Sequence, residues 1–553
     1  MKRISTNELR EYLLRINGKP FSRYKGLRGL LINYGRYSAK LTRIQGDPHA
    51  PPSYIEVKLP KELLKLPNTL LSGLGALALT DYLARKLHKV LKGLRRPCGS
   101  GNSCYLGVPK PSPRILRRSC CELISESLVI RFFIGLPARG RRVLGREAIK
   151  LLINDVPKVV SELLKVRNEV DEVLKHYELL KDQRFLREWL YRGGYILFIP
   201  NGAILPRESS ISEEPKEGAT KFKSPLTLKV KVKLPSGKVV EGMAVKEGVT
   251  VVTGGGYHGK TTLLEAIQDG IYDHVRGDGR EYVVSRKYTV LVKAEDGRLV
   301  SNVDISSLIR NLPGGCDTRR FSTLDASGST SMAASISEVI EAGAEVILLD
   351  EDTSATNLLF KDEVMRELIP NDPIRTLSEV VRDLVSKSGA SVVVVTSASS
   401  SFLPVADTVI RMSNYIPEDL SSEVAGKGLG VITKTYELPR KRLFRGIKGL
   451  RRVKVQGMKL IIEYLSGSKF ELDLKYYPRI VETGQVRLVA HIIKELSKPP
   501  KPMSVRELIK YVNERLSREG FSAFTNPVPP DLTEVDGFDV VWTINRLYGA
   551  NFT

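Results

Sequence analysis

The sequence predicts an α/β fold: a central sheet of mainly parallel strands, preceded by a mixed α+β domain and followed by a basic C-terminal module. Three observations point there. Val346-Ile347-Leu348-Leu349 and Val392-Val393-Val394-Val395 are continuous apolar runs, the pattern of strands that helices cover on both faces. A third run, Val249-Thr250-Val251-Val252-Thr253, passes straight into a glycine-rich loop, and Thr262-Leu263-Leu264-Glu265-Ala266-Ile267 opens a helix behind it. Finally, 553 residues exceed one hydrophobic core at roughly 150 residues per domain.

The flanking regions follow in chain order. Residues 1–212 mix helical and extended patterns, and Ala148-Ile149-Lys150-Leu151-Leu152 opens a helix-period stretch that runs past Leu180. The polar segment 208–218 has the composition of a linker or exposed loop and sets the first boundary. The core is placed at 213–424. It begins with the period-two run Leu226-Thr227-Leu228-Lys229-Val230-Lys231-Val232, the turn Pro235-Ser236-Gly237-Lys238 and Val239-Val240, a β-hairpin. Residues 425–553 form the basic module, in which Ser504-Val505-Arg506-Glu507 is a capping box for a helix ending near Gly520.

Composition narrows the class. Hydrophobic residues at 42% and charged residues at 27% are ordinary for folded protein and exclude global disorder. No stretch approaches the roughly 18 apolar residues of a membrane span, and no signal-type segment follows the start, so a soluble cytoplasmic protein is expected. The five cysteines, Cys98, Cys104, Cys120, Cys121 and Cys316, lack paired C-x2-C spacing and are expected as reduced thiols. A net charge of +24 concentrates polyanions and makes nucleic acid the leading partner class.

Chemistry is concentrated in the glycine loop Gly254-Gly255-Gly256-Tyr257-His258-Gly259-Lys260-Thr261, which fits the P-loop pattern between a buried strand and a helix start. Its backbone N–H groups and the helix N-terminus suit phosphates. Lys260 is expected to reach the β- and γ-phosphates, Thr261 to hold Mg2+, and Thr262 to follow in the helix. His258 either contacts the γ-phosphate or points out of the loop. The apolar strand ending in Asp350-Glu351 supplies the other half: Asp350 for the Mg2+ shell, Glu351 to orient or deprotonate the attacking water. A second loop, Gly99-Ser100-Gly101-Asn102-Ser103, has no lysine and reads as a flexible turn.

Between the two halves lies Ala326-Ser327-Gly328-Ser329-Thr330, and Ser354-Ala355-Thr356-Asn357 closely follows Glu351. With the interior of the glycine loop, Tyr272-Asp273-His274-Val275-Arg276-Gly277-Asp278-Gly279-Arg280-Glu281 and Ala294-Glu295-Asp296-Gly297-Arg298, these motifs make the chain similar to the ATPases of the ABC class, the ATP-binding-cassette type of P-loop NTPase. The likeness extends through Gln45-Gly46-Asp47-Pro48, Gly135-Leu136-Pro137-Ala138-Arg139-Gly140-Arg141 and Ile204-Leu205-Pro206-Arg207, and so covers the chain to about residue 424. It implies ATP and Mg2+ as ligands. It also implies a head-to-tail homodimer in which Ser327, Gly328 and Ser329 of one subunit cover ATP held by Lys260 of the other. Two departures stand out. Ala398 occupies the place of the usual γ-phosphate-sensing histidine, so either hydrolysis is slow or another residue takes that role. The glutamine loop is not obvious, with Glu295 or Asp296 as candidates.

Basic clusters complete the reading: 440–454, Arg85-Lys86-Leu87-His88-Lys89, Arg114 with Arg117 and Arg118, and 139–146. Clusters sharing a face track a phosphate backbone, and Phe444 is a candidate for stacking on a base, although solvated surface is the common explanation of a charge run. The expected function is an ATPase coupled to nucleic-acid binding or remodelling, RNA ahead of DNA. An ATP-gated protein-binding scaffold is the alternative, ahead of a transporter motor subunit and a P-loop kinase.

Overall fold

The apolar runs become neighbouring strands of one sheet because each is buried on both faces and has no polar side to offer water. The structure, a computed structural model, describes residues 2–209, 211–312, 314–430 and 433–553. The chain divides into two compact units. Unit 1 is Met1–Leu180 with Glu482–Leu488 and Glu519–Glu534; unit 2 is Lys181–Val481 with Val489–Arg518 and Val535–Thr553. The 425–553 segment thus contributes residues to both units.

In unit 1 a seven-stranded sheet carries the core. Its longest pair, β1 (Ser53–Pro60) and β2 (Ser127–Ile134), is antiparallel and in continuous register, and α1 (Gly73–Leu94) buries Leu79, Leu83, Leu87 and Leu91 at helical spacing in the same core. The helix-period stretch after Ala148 is helical, with a π-helical segment at Lys150–Asp155.

Unit 2 is built on a six-stranded sheet. Its strands are β5 (Val249–Thr253), β6 (Thr289–Val292), β7 (Val346–Asp350), β8 (Ser391–Val395), β9 (Thr408–Ser413) and β10 (Ile416–Asp419), in the order β6-β7-β8-β5-β9-β10. All pairings are parallel except the β9–β10 hairpin. The hairpin expected before the glycine loop forms from β3 (Lys229–Lys233) and β4 (Val239–Lys246), antiparallel in register from Lys229–Met243 to Lys233–Val239. Helix α2 (Lys260–Asp269) follows the loop and buries Leu263, Leu264 and Ile267 in one cluster with Val252, Leu348, Val393 and Ile410. Each such side chain contributes about 1.5–3 kcal/mol, enough to fix the helix start against the strand ends. The polar segment 208–218 lies within unit 2, closed by the Arg207–Pro215 bridge and the Glu208 N–H on the Glu214 carbonyl; Ser210 lies outside the described residues.

Several expectations are corrected. Cys98 and Cys104 form a disulfide rather than remaining reduced, because the short loop between them returns the two Cα atoms to 5.9 Å. The loop they close is not a free turn: Asn102 donates its N–H to the Pro48 carbonyl and its side-chain amide to the Ala50 carbonyl. Phe444 is not available to a base, since it is fully buried with its ring centroid 5.4 Å from that of Phe552. Arg442, in the same basic run, is equally buried and is an ion-pair partner of Glu341 at 2.8 Å. The capping box at Ser504 and Glu507 forms as read, with each residue's backbone N–H donating to the other's side chain, and starts a helix at Val505–Glu519. No helix among the described residues is long and apolar enough to cross a membrane.

Candidate functional site

The glycine loop connects the C-terminal end of β5, which lies between β8 and β9 in the sheet, to α2. Two glycines make the turn possible. Gly254 has φ +135° and lies so close to β9 that a Cβ there would stand 2.3 Å from the Met412 carbonyl oxygen. Gly259 has φ +94° and caps α2 without a side chain, so the first N–H groups of that helix keep no side-chain cap. The result is a strand, an open loop and an uncapped helix N-terminus in line, the arrangement that binds phosphate. Gly255, Gly256 and Tyr257 stand out into solvent.

Three side chains converge around this loop. Lys260 is folded back, its Nζ donating to the carbonyls of Gly254 and Gly255 at 2.8 and 2.7 Å. Thr261, in the first turn of α2, donates its hydroxyl to Asp350 Oδ2 at 3.2 Å, although β5, which leads into the loop, and β7, which ends at Asp350, are separated by β8. Asp350 is buried, and its other oxygen accepts the Asp352 N–H, which holds the carboxylate in place. A hydroxyl and a carboxylate this close are hard oxygen donors of the kind that suits Mg2+. Glu351 leaves the sheet one residue later. Its Oε2 accepts from the Thr396 hydroxyl at 2.8 Å and from the N–H groups of Ser397 and Ala398 at 2.8 and 3.2 Å. Ala398, at the position where the resemblance implies a histidine, therefore contributes its backbone N–H to the glutamate.

His258 is tied to a neighbouring turn. Its Nδ1 accepts the Asn414 N–H at 2.8 Å and its carbonyl accepts the Tyr415 N–H at 3.2 Å, both from the β9–β10 turn. Sequence reasoning missed this partner because nothing in the Asn414-Tyr415 dipeptide marks it as a neighbour of the loop.

Ser327 precedes α3 (Gly328–Ala342) at its N-cap, with its hydroxyl 3.0 Å from that of Thr330 and no bond to the helix backbone. Ser329 donates to Asn357 Oδ1 at 2.7 Å, so the Ser327-Gly328-Ser329 loop and the 354–357 segment, read separately in the sequence, are joined. Their bonds run to each other rather than to the glycine loop of the same chain. Of the two glutamine-loop candidates, Glu295 is committed elsewhere: it pairs with Arg546, Nε to Oε2 at 2.8 Å, and its N–H donates to Ser331. Asp296 remains beside Gly328, its Oδ1 3.0 Å from where a Cβ on that glycine would sit.

Family models match most of the chain. A family model described as a P-loop domain, ABC_ATPase, matches residues 169–445. A model described as the N-terminal part of ATPases of the ABC class matches 6–167, and one described as the MRB1590 C-terminal domain matches 452–553. The uncharacterized protein MJ1628 of Methanocaldococcus jannaschii is 30% identical over 309 residues, covering 50% of this chain and 68% of its own. Among solved structures, cbiO1 from Clostridium perfringens, part of the ABC transporter complex cbiONQ, aligns with 17% identity over 42% of this chain and 92% of its own, with a TM-score of 0.24.

Proposed function

The chain belongs to the ABC_ATPase family of P-loop domains, and from that premise we propose that it binds and hydrolyses ATP in a head-to-tail homodimer and couples this to nucleic-acid binding. The observation that supports the reading most is the open N-terminus of α2, where Lys260 folds over the glycine loop and Thr261 bonds to Asp350, with Glu351 the next residue after Asp350. Thr261 and Asp350 would hold Mg2+, which neutralises phosphate charge when bound. Lys260 exchanges the carbonyls of Gly254 and Gly255 for the β- and γ-phosphates. Glu351, released from the N–H groups of Ser397 and Ala398, orients the attacking water and takes its proton. The Ser327-Gly328-Ser329 loop, with the uncapped N-terminus of α3 behind it, covers the γ-phosphate of ATP held by the second subunit. ATP binds the closed pair more tightly than the separated subunits, which is the whole driving force for closure.

The nucleic-acid part rests on charge. Lys441, Lys448, Arg451 and Arg452 are exposed and carry no ion pair among the described residues, and the chain as a whole is at +24. ATPase rates with and without RNA and single-stranded DNA, across a salt series, test it: stimulation by RNA that fades with rising salt is expected, whereas absence of binding at low salt removes nucleic acid from the scheme. One observation favours a second reading. Arg85, Lys86, Arg118 and Arg442 are all engaged by acidic partners, so much of the basic excess is spent internally. An ATP-gated scaffold for an acidic protein is what then remains.

A further inference from the structure

We propose that Cys98 is a thiol-exchange site: a thiol attacks its sulfur, and Cys104 leaves as a thiolate received by Arg96. The inference concerns unit 1 alone and is independent of the nucleotide reading above.

The disulfide joins two unlike cysteines. Cys98 lies just beyond the C-terminal end of α1 and is partly exposed, whereas Cys104 is 1% exposed. An attacking thiolate therefore has access to the first sulfur, and access together with the stability of the departing thiolate decides which sulfur is attacked. The departing sulfur has a cation beside it. Arg96 directs its Nη1 at Cys104 Sγ from 3.7 Å, while the same guanidinium is held by Glu147 at 2.7 Å and Asp155 at 3.0 Å. Lys150 also pairs with Glu147, at 2.9 Å, so the two carboxylates are matched by two cations before the thiolate arrives. Glu147 places a carboxylate oxygen within 4.8 Å of both sulfurs, which gives the three residues the donor types of a metal site. Arg96 stands among them, and its fixed positive charge opposes a metal cation and favours an anion. The surroundings suit a thiolate released by exchange.

Backbone and space allow the two sulfurs to part. Cys104 has φ +56°, a left-handed conformation that residues other than glycine rarely adopt. A cavity of about 230 Å3, lined by Arg95, Arg96, Gly101, Asn102, Cys104 and Tyr105, leaves space beside it. The loop does not depend on the disulfide for its path. Ser100 donates its N–H to the Ala138 carbonyl at 2.8 Å, Asn102 to Pro48 at 2.8 Å and Cys104 to Gly135 at 2.9 Å. These bonds keep the two cysteines near each other once the disulfide opens, and so make the exchange reversible.

In the forward step the thiolate forms a bond to Cys98 Sγ, the Cys98–Cys104 bond breaks, and its electron pair leaves on Cys104 Sγ. The attacking sulfur is oxidised to the disulfide level and the Cys104 sulfur is reduced, so no further oxidant or reductant takes part. In the reverse step the Cys104 thiolate attacks Cys98 Sγ and expels the added thiol.

The test uses the full chain with glutathione as the thiol. Exposed Cys316 is first blocked with iodoacetamide; glutathione is then added without denaturant, free thiols are trapped with N-ethylmaleimide, and peptides are mapped by mass. Glutathione is expected on Cys98 and maleimide on Cys104. Arg96→Gln should slow the exchange on the order of 10-fold, the effect of losing a charged hydrogen bond to the departing sulfur. Arg96→Lys should stay within about threefold of the unmodified rate, since a cation near the thiolate is kept. Thermal melting checks that both variants fold, and the mapping on the unmodified chain, which needs no substitution, decides alone if they do not. Glutathione mainly on Cys104, no exchange until denaturant is added, an isolated chain without the Cys98–Cys104 bond, or a rate indifferent to Arg96→Gln in the folded variant overturns the proposal.

Discussion

The Glu351 carboxylate accepts the Ser397 backbone N–H at 2.8 Å, and so the glutamate proposed as catalytic is held by the loop after β8 rather than facing open solvent. Ser397 and Ala398 both donate to the same oxygen, Oε2, so the loop after β8 sets the orientation of the carboxylate.

Lys260 Nζ donates to two carbonyls of its own loop, at a site open to water that can replace those bonds. Lys260→Ala is expected to leave the melting temperature nearly unchanged and to weaken ATP binding by at least ~30-fold, the loss typical when one partner of a charged contact is removed. Calorimetric titration with ATP and Mg2+ measures it.

Acid stability of unit 1 depends on a buried cluster in which Arg118 pairs with Asp81 and Glu482. Burial alone raises the Glu482 carboxyl, but the Arg118 charge, with hydrogen bonds from Arg118, Ser112 and Thr533, brings it down to about 2. A carboxyl lowered on folding contributes fully above its unfolded value and is lost as pH falls through the folded one. Unit 1 should therefore lose on the order of 3 kcal/mol between about pH 5 and pH 2 from this group. Hydrogen exchange of α1 over that range reads the effect, and Glu482→Gln should flatten it while costing about 3–5 kcal/mol at neutral pH.

The basic run at 440–454 contains two kinds of residue, and substitution should separate them. Arg442→Met leaves Glu341 buried without its partner and should destabilise by about 3–5 kcal/mol. Arg451→Ala, at an exposed position, should change stability by less than about 0.5 kcal/mol. If the run contacts a phosphate backbone, the same change lowers the salt slope of RNA binding by roughly one.

What the sequence made legible was whatever local pattern decides. The glycine loop, the strand ending at Asp350, the β3–β4 hairpin and the helix start at Ser504 each depend on residues within a few positions of one another. What it hid depends on distance in the chain. Charge alone could not tell Arg442 from Arg451, because Glu341 lies about a hundred positions away. Nor does an Asn-Tyr turn announce that it binds a glycine loop 156 residues earlier. The Cys98–Cys104 disulfide escaped because only the fold of 95–105 brings those thiols together. The C-terminal segments 482–488 and 519–534 belong to unit 1, which no composition shift marks.

The central claim is that two chains close around two ATP molecules, and Glu351→Gln tests it most directly. The substitution keeps the size of the side chain and removes the base, so ATP should bind and not turn over. Light scattering of the full-length variant with ATP and Mg2+ should give twice the monomer mass of 61.6 kDa, returning to one when nucleotide is removed. A single-chain mass at saturating ATP, with nucleotide bound, would contradict the account.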